Sequence, residues 1–184
     1  VYNDKFFDEG EITQWDDLWK PELANSIMLI DGAREVMGLG LDSLGYSLNS
    51  KDDDQLQEAF NKLRTMTPNI KAIVADEIKM YMANEEASVA VTFSGEAADM
   101  MYENEHIHYV IPSEGSNLWF DNMVIPKTSQ NEAGAYAFLN FMLEPENAAQ
   151  NAEYIGYSTP NQAAMALLPD EITEDEQFYP SDEL

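Results

Sequence analysis

Short apolar runs alternate with amphipathic stretches along most of this chain, the pattern of a mostly parallel sheet covered by helices. Ile27-Met28-Leu29-Ile30, Ala72-Ile73-Val74-Ala75 and Val89-Ala90-Val91-Thr92-Phe93 read as strands buried on both faces. Ile107 to Ile111 and Trp119 to Ile125 follow as further strands. Between them, Ala33, Val36, Met37, Gly40, Leu41 and Leu44 fall on one helix face, as do Leu56, Ala59, Phe60 and Leu63. Asp52, Asp53 and Asp54 stand where carboxylates cap a helix start; no calcium-loop spacing follows them. Ala135, Phe138, Leu139 and Met142 signal a long helix that ends near Glu144-Pro145. A shorter helix from Glu146 to Tyr154 stops at Gly156, and Tyr157-Ser158-Thr159-Pro160-Asn161 is a loop. Beyond Leu168-Pro169 the periodicity is lost, which predicts a surface excursion or return segment.

Composition narrows the class. The chain has 184 residues, 45% hydrophobic and 11% aromatic, enough for a substantial core. No apolar run is long enough to span a membrane. Val1-Tyr2-Asn3 reads as the end of a strand, so the chain is expected to be a piece of a longer protein. Cysteine is absent, which excludes disulfides, thiolate metal sites and a cysteine nucleophile.

Nine Lys and Arg against 35 Asp and Glu give a formal net charge of −26. Nucleic acid is excluded as a partner, because phosphate binding needs clustered cations. No basic residue follows Lys127. Such a field steers a cationic ligand toward the protein, and it also serves solubility.

Enzyme signatures are sparse. Gly38-Leu39-Gly40 lies inside a predicted helix with no third glycine in place, which points to helix packing and not a phosphate loop. Ser94-Gly95-Glu96 follows a strand and opens a helix, but it lacks the preceding glycine of a nucleophile elbow. His106 and His108 would share one side of a strand, with Glu103 or Glu105 conceivable as a third metal ligand. Two segments suit a binding site better. Strand period two puts Trp119 and Asp121 on one face, an aromatic plate beside a carboxylate, as recognition of an alkylammonium requires. Leu29 to Val36 runs from strand through a tight turn into a helix, where open α/β sheets bind ligands. There Asp31 is a candidate helix cap, Arg34 an ion-pair partner, and Glu35 favours the helix dipole.

These segments combine with others. Trp15-Asp16-Asp17-Leu18-Trp19-Lys20-Pro21-Glu22, Asp31-Gly32-Ala33-Arg34-Glu35-Val36, Leu44-Gly45-Tyr46-Ser47, Trp119 to Pro126 and Ile155 to Asn161 occur in order. Together they resemble the spermidine/putrescine-binding proteins of bacterial polyamine ABC transporters. The resemblance implies an α/β fold, a periplasmic-binding-protein type II lobe with a mostly parallel sheet flanked by helices. It implies that residues 1–118 form the second lobe of a two-lobe protein. Residues 119–160 would be a crossover strand and helices packing on the other lobe, and 161–184 a return segment. By the same resemblance Glu35 and Asp121 receive amines, Trp119 and Tyr157 flank the methylene chain, and Phe93 forms a wall where relatives often carry Trp. Gly32 stands where a well-known form of the motif has a second Asp, which leaves selectivity between spermidine and putrescine open. The implied protein is no enzyme and needs no cofactor. It would capture polyamines outside the cytoplasm, in the periplasm or as a cell-surface lipoprotein, and hand them to permease subunits, touching the membrane only through a lipid anchor outside this sequence. The alternatives are a receptor for another cationic solute, a metal carrier using His106 and His108, or a hydrolase acting through Ser94.

Overall fold

The computed structural model describes residues 1–180. They fall into two compact units, one of residues 1–117 and one beginning at Leu118.

The first unit is built on a five-stranded sheet of β1 (Tyr2–Asn3), β2 (Ile27–Ile30), β3 (Ile70–Val74), β4 (Val89–Val91) and β5 (Ile107–His108), in the order β3-β2-β4-β1-β5. β2 runs parallel to both β3 and β4. β1 is antiparallel to β4 and β5, so the sheet is mixed but mostly parallel. Period two divides the side chains between two cores. Ile27, Leu29 and Val89 point to one layer, with Leu39 and Met66 of the helices α1 (Ala33–Asp42) and α2 (Asp53–Met66). Met28 and Ala90 point to the other, with Ile78 and Met82 of α3 (Glu77–Ala83) and Met100 of α4 (Ser94–Glu103). This is an α/β/α layer arrangement, and it is why β2 and β4 are apolar at every position. A Cβ on Gly40 would lie 2.8 Å from Leu63 Cδ1 and 3.2 Å from the Ala59 carbonyl, so Gly40 lets α1 and α2 approach closely, as the packing reading expects. Asp52 caps α2 by accepting from the amides of Asp54 and Gln55, at 3.0 and 3.1 Å.

The tryptophan-rich motif at 15–22 is scaffolding. The Trp15 indole donates to the Gly115 carbonyl at 3.0 Å, and Trp19 donates to Lys62 O and Thr65 Oγ1. Buried Asp17 accepts from the amides of Thr13 and Gln14 and pairs with Lys20. Burial pushes the Asp17 pKa up, but the bonds from Lys20, Thr13 and Gln14 outweigh it and hold the carboxyl below its ordinary value.

The second unit is helical: α5 (Glu132–Leu143), α6 (Pro145–Ile155), and the single turns α7 (Gln162–Met165) and α8 (Asp170–Thr173). Gly156, in the left-handed region at φ 70°, ends α6 where the sequence places its stop. The core of this unit is small: Ala149 and Ala152 against Ala164 and Leu168, flanked by Ile172 and Tyr179. The region beyond Leu168, expected to be irregular, therefore packs on α6. Residues 181–184, the end of the implied return segment, lie outside the described residues.

Several expectations change. β3 is the outermost strand of the sheet and is not buried on both faces, Ile73 being half exposed, and β4 ends at Val91 and not Phe93. Trp119–Ile125 is not a strand: no ladder partner pairs with it among the described residues, and alternation alone cannot make one. The strand at 107 ends at His108 and not Ile111. Gly32, not Asp31, is the cap residue of α1; the Asp31 amide instead continues the sheet edge, donating to Val74 O at 2.7 Å.

Candidate functional site

In the first unit, Glu35 and Phe93 lie just beyond the ends of neighbouring strands. β2 and β4 are parallel and in register through Leu29 and Val91, so the turns after them open on the same edge of the sheet. Glu35 is the third residue of α1, which follows β2, and Phe93 caps α4, which follows β4. Both side chains are half-buried. This carboxyl edge is where open α/β sheets take ligands, because helix N-termini and flexible turns meet there. Arg34 has no ion-pair partner among the described residues; it donates to Asn49 Oδ1 at 2.9 Å, along the surface. A cavity of about 60 Å³ lies beside the end of β4, lined by Tyr2, Trp15, Val91, Thr92, Tyr109 and Ser116. It is far smaller than the few hundred Å³ of a small-molecule site.

In the second unit the structure brings together two residues that lie far apart in sequence. The rings of Trp119 and Tyr157 meet edge to face, 5.5 Å between centroids at 72°. Gly156 turns the chain out of α6 directly before Tyr157. The loop that follows is held down from both sides: Ser158 donates to the Phe178 carbonyl, the Thr159 amide to Tyr179 Oη at 3.1 Å, and Asn161 Nδ2 to Leu143 O at 2.9 Å. Tyr157 is therefore fixed by its neighbours as well as by Trp119. Asp121 is exposed two residues beyond Trp119. With no strand here, period two no longer places Asp121 on the indole's face, and its relation to Trp119 rests on sequence proximity.

The other candidates resolve differently. His106 and His108 do face one way, but their shared partner is Asp4, which sequence reasoning missed, and not Glu103 or Glu105. His106 Nδ1 and His108 Nε2 each lie 2.8 Å from one oxygen of its carboxylate. Hydrogen bonds from His108 and His106 hold the Asp4 carboxyl below its ordinary pKa. No group of three or more His, Asp or Glu suited to a metal ion occurs among the described residues. Ser94 begins α4 as expected, and no hydrogen bond joins it to a histidine among the described residues.

Comparison with known proteins adds independent findings. The spermidine/putrescine-binding periplasmic protein of Escherichia coli (strain K12) is 39% identical over 176 residues, covering 96% of this chain and 51% of that protein. The crystal structure of the spermidine/putrescine ABC transporter substrate-binding protein PotD from Streptococcus pneumoniae superposes with a TM-score of 0.85 at 64% identity, covering 98% of this chain and 55% of that one. The Tp0655 (TpPotD) lipoprotein of Treponema pallidum does so at 0.81 and 30% identity, covering 89% of this chain and 53% of that one. The chain thus spans about half the length of the curated relatives it matches. With the sequence profile of the bacterial extracellular solute-binding proteins matching residues 1–180, the chain belongs to that family.

Proposed function

We propose that this chain is the greater part of one lobe of an extracytoplasmic receptor that captures spermidine or putrescine and delivers it to an ABC importer. The observation that carries the reading is the Trp119–Tyr157 pair, with Asp121 exposed two residues along the chain from the indole. Two aromatic rings set edge to face give a corner of apolar and π surface that suits a methylene chain ending in an ammonium. The Asp121 carboxylate, two residues on from Trp119, supplies the charge-assisted hydrogen bonds that a putrescine or spermidine amine needs. Glu35 and Phe93, on the ligand edge of the sheet, serve as a further amine acceptor and a wall. The relatives' names agree with this chemistry, and the net charge of −26 favours a polycation.

In this reading residues 1–118 form the second lobe, residues 119–160 the crossover with helices that rest on the other lobe, and residues 161–184 the return, which starts from its packing on α6. Closure of two lobes on the ligand is the signal read by the permease subunits, and the receptor performs no chemistry of its own. It works in the periplasm or as a lipoprotein at the cell surface, the similar Tp0655 of Treponema pallidum being a lipoprotein, with any lipid anchor outside this sequence.

Isothermal titration of the two-lobe protein with spermidine, putrescine, a sugar and an inorganic anion tests the reading. Saturable heat with a polyamine alone is expected; heat with the sugar or anion and none with either polyamine overturns it.

A further inference from the structure

Gly32 has no conformational reason to be glycine. Its backbone is extended, φ −147° and ψ 110°, a region open to any residue. Its amide donates to Ile30 O at 2.9 Å and its carbonyl accepts from Val36 N at 3.0 Å, bonds that any residue but proline at position 32 keeps. What distinguishes the position is the space above its α-carbon. A Cβ there would overlap Glu35 Oε2 and lie 2.9 Å from Glu35 Cδ and 3.3 Å from Cγ. The Glu35 side chain is thus folded back along the first turn of α1, with its carboxylate over Gly32. All three atoms in the way belong to one flexible side chain, so a larger residue at 32 would move Glu35 and leave the backbone in place.

We propose that Gly32 is a positioning residue: by leaving out its own side chain it lets a single carboxylate, that of Glu35, lodge over the start of α1 at the ligand edge of the sheet. This rests on the reading that Glu35 contacts the amine. Folded back, the carboxylate stands where the helix N-terminus favours negative charge, and its rotamer is restricted before ligand arrives, so less freedom is lost on binding. A side chain at 32 would take this place and push Glu35 toward solvent, trading a preset acceptor for a mobile one. The position therefore bears on how the site weighs one amine of the ligand against another.

The test is a double-mutant cycle in the two-lobe protein, with Gly32→Ala, Glu35→Ala and both together, read by titration with putrescine and spermidine. Side-chain couplings from NMR report the χ1 rotamer of Glu35 in the wild type and in Gly32→Ala. Gly32→Ala is expected to change that rotamer, to keep the melting temperature, and to weaken polyamine binding about two- to tenfold. In the Glu35→Ala background the same change should alter affinity by less than about twofold, since nothing remains to be displaced. An unchanged rotamer, an unchanged affinity despite a changed rotamer, or an equal loss with and without Glu35 each overturns the inference. Polyamine binding by the wild type is the separate control: its absence overturns the functional reading, and with it any ligand role for Gly32, whereas its presence with a null cycle overturns the role of Gly32 alone.

Discussion

The two units have similar proportions of apolar residues and put them to different use. In residues 1–117 a four-residue strand supplies Ile27, Met28 and Leu29, all buried, to two cores at once. In α5, Tyr136, Phe138, Phe141 and Leu143 are each more than half exposed, and no residue of the helix is buried. The second unit's core is made of small residues, Ala149, Ala152 and Ala164, with Leu168. An apolar stripe at helical spacing therefore shows that a helix has a face to cover, and only tertiary structure shows what covers it. In the proposed two-lobe protein that cover is the other lobe.

Substitutions in the 184-residue chain separate the two units experimentally. The largest effect belongs to the sheet: Met28→Ala should destabilise the first unit by about 2–5 kcal/mol, because the cavity opens in a fully buried layer. Urea unfolding followed by the fluorescence of Trp15 and Trp19 measures it, and a loss under about 1 kcal/mol would mean that the layer is looser than described.

Next in size is the difference in amide exchange. The amides of β2 should be protected by several kcal/mol more than those of α5, whose exposed face leaves it open to local unfolding. Equal protection would erase the contrast.

A smaller effect is pH-dependent. The histidine pair lowers the Asp4 pKa in the folded state, so the stabilisation is complete above the ordinary carboxylate value of about 4 and is lost as pH falls through the depressed folded value. Asp4→Asn should therefore lower the first unit's melting temperature at neutral pH, and the gap to wild type should close on acidification. A gap that widens in acid would reverse the sign. Smallest of all, Phe138→Ser should change stability by no more than about 0.5 kcal/mol. A loss above about 2 kcal/mol would show that this chain by itself buries α5.

Much of the fold was legible because its signals are local. β2 and β4 are continuous apolar runs, Asp52 caps α2 from its own sequence neighbourhood, and Gly156 ends α6 by its own conformation. Gly32 and not Asp31 is the cap because the first i+4 bond of α1 runs from the Val36 amide to the Gly32 carbonyl, while Asp31 still belongs to the sheet ladder. Trp119–Ile125 has a strand's alternation, yet a strand is defined by its neighbour, which no alternation can encode. The partner of the histidines was hidden for a similar reason: Asp4 reaches them only because β1 and β5 pair across the length of the first unit. The candidate site divides along the same line. The turns bearing Glu35 and Phe93 could be placed from strand and helix signals, whereas the meeting of Trp119 with Tyr157 depends on how α6 and its loop fold.

The most direct test of the polyamine reading is the affinity of the two-lobe protein for spermidine with and without Asp121→Asn, which keeps the shape of the side chain and removes its charge. Loss of a charge-assisted hydrogen bond predicts a drop of about 10- to 100-fold with the fold intact. Equal affinities for the two proteins would contradict the account, because the Asp121 carboxylate would then have no part in holding the amine.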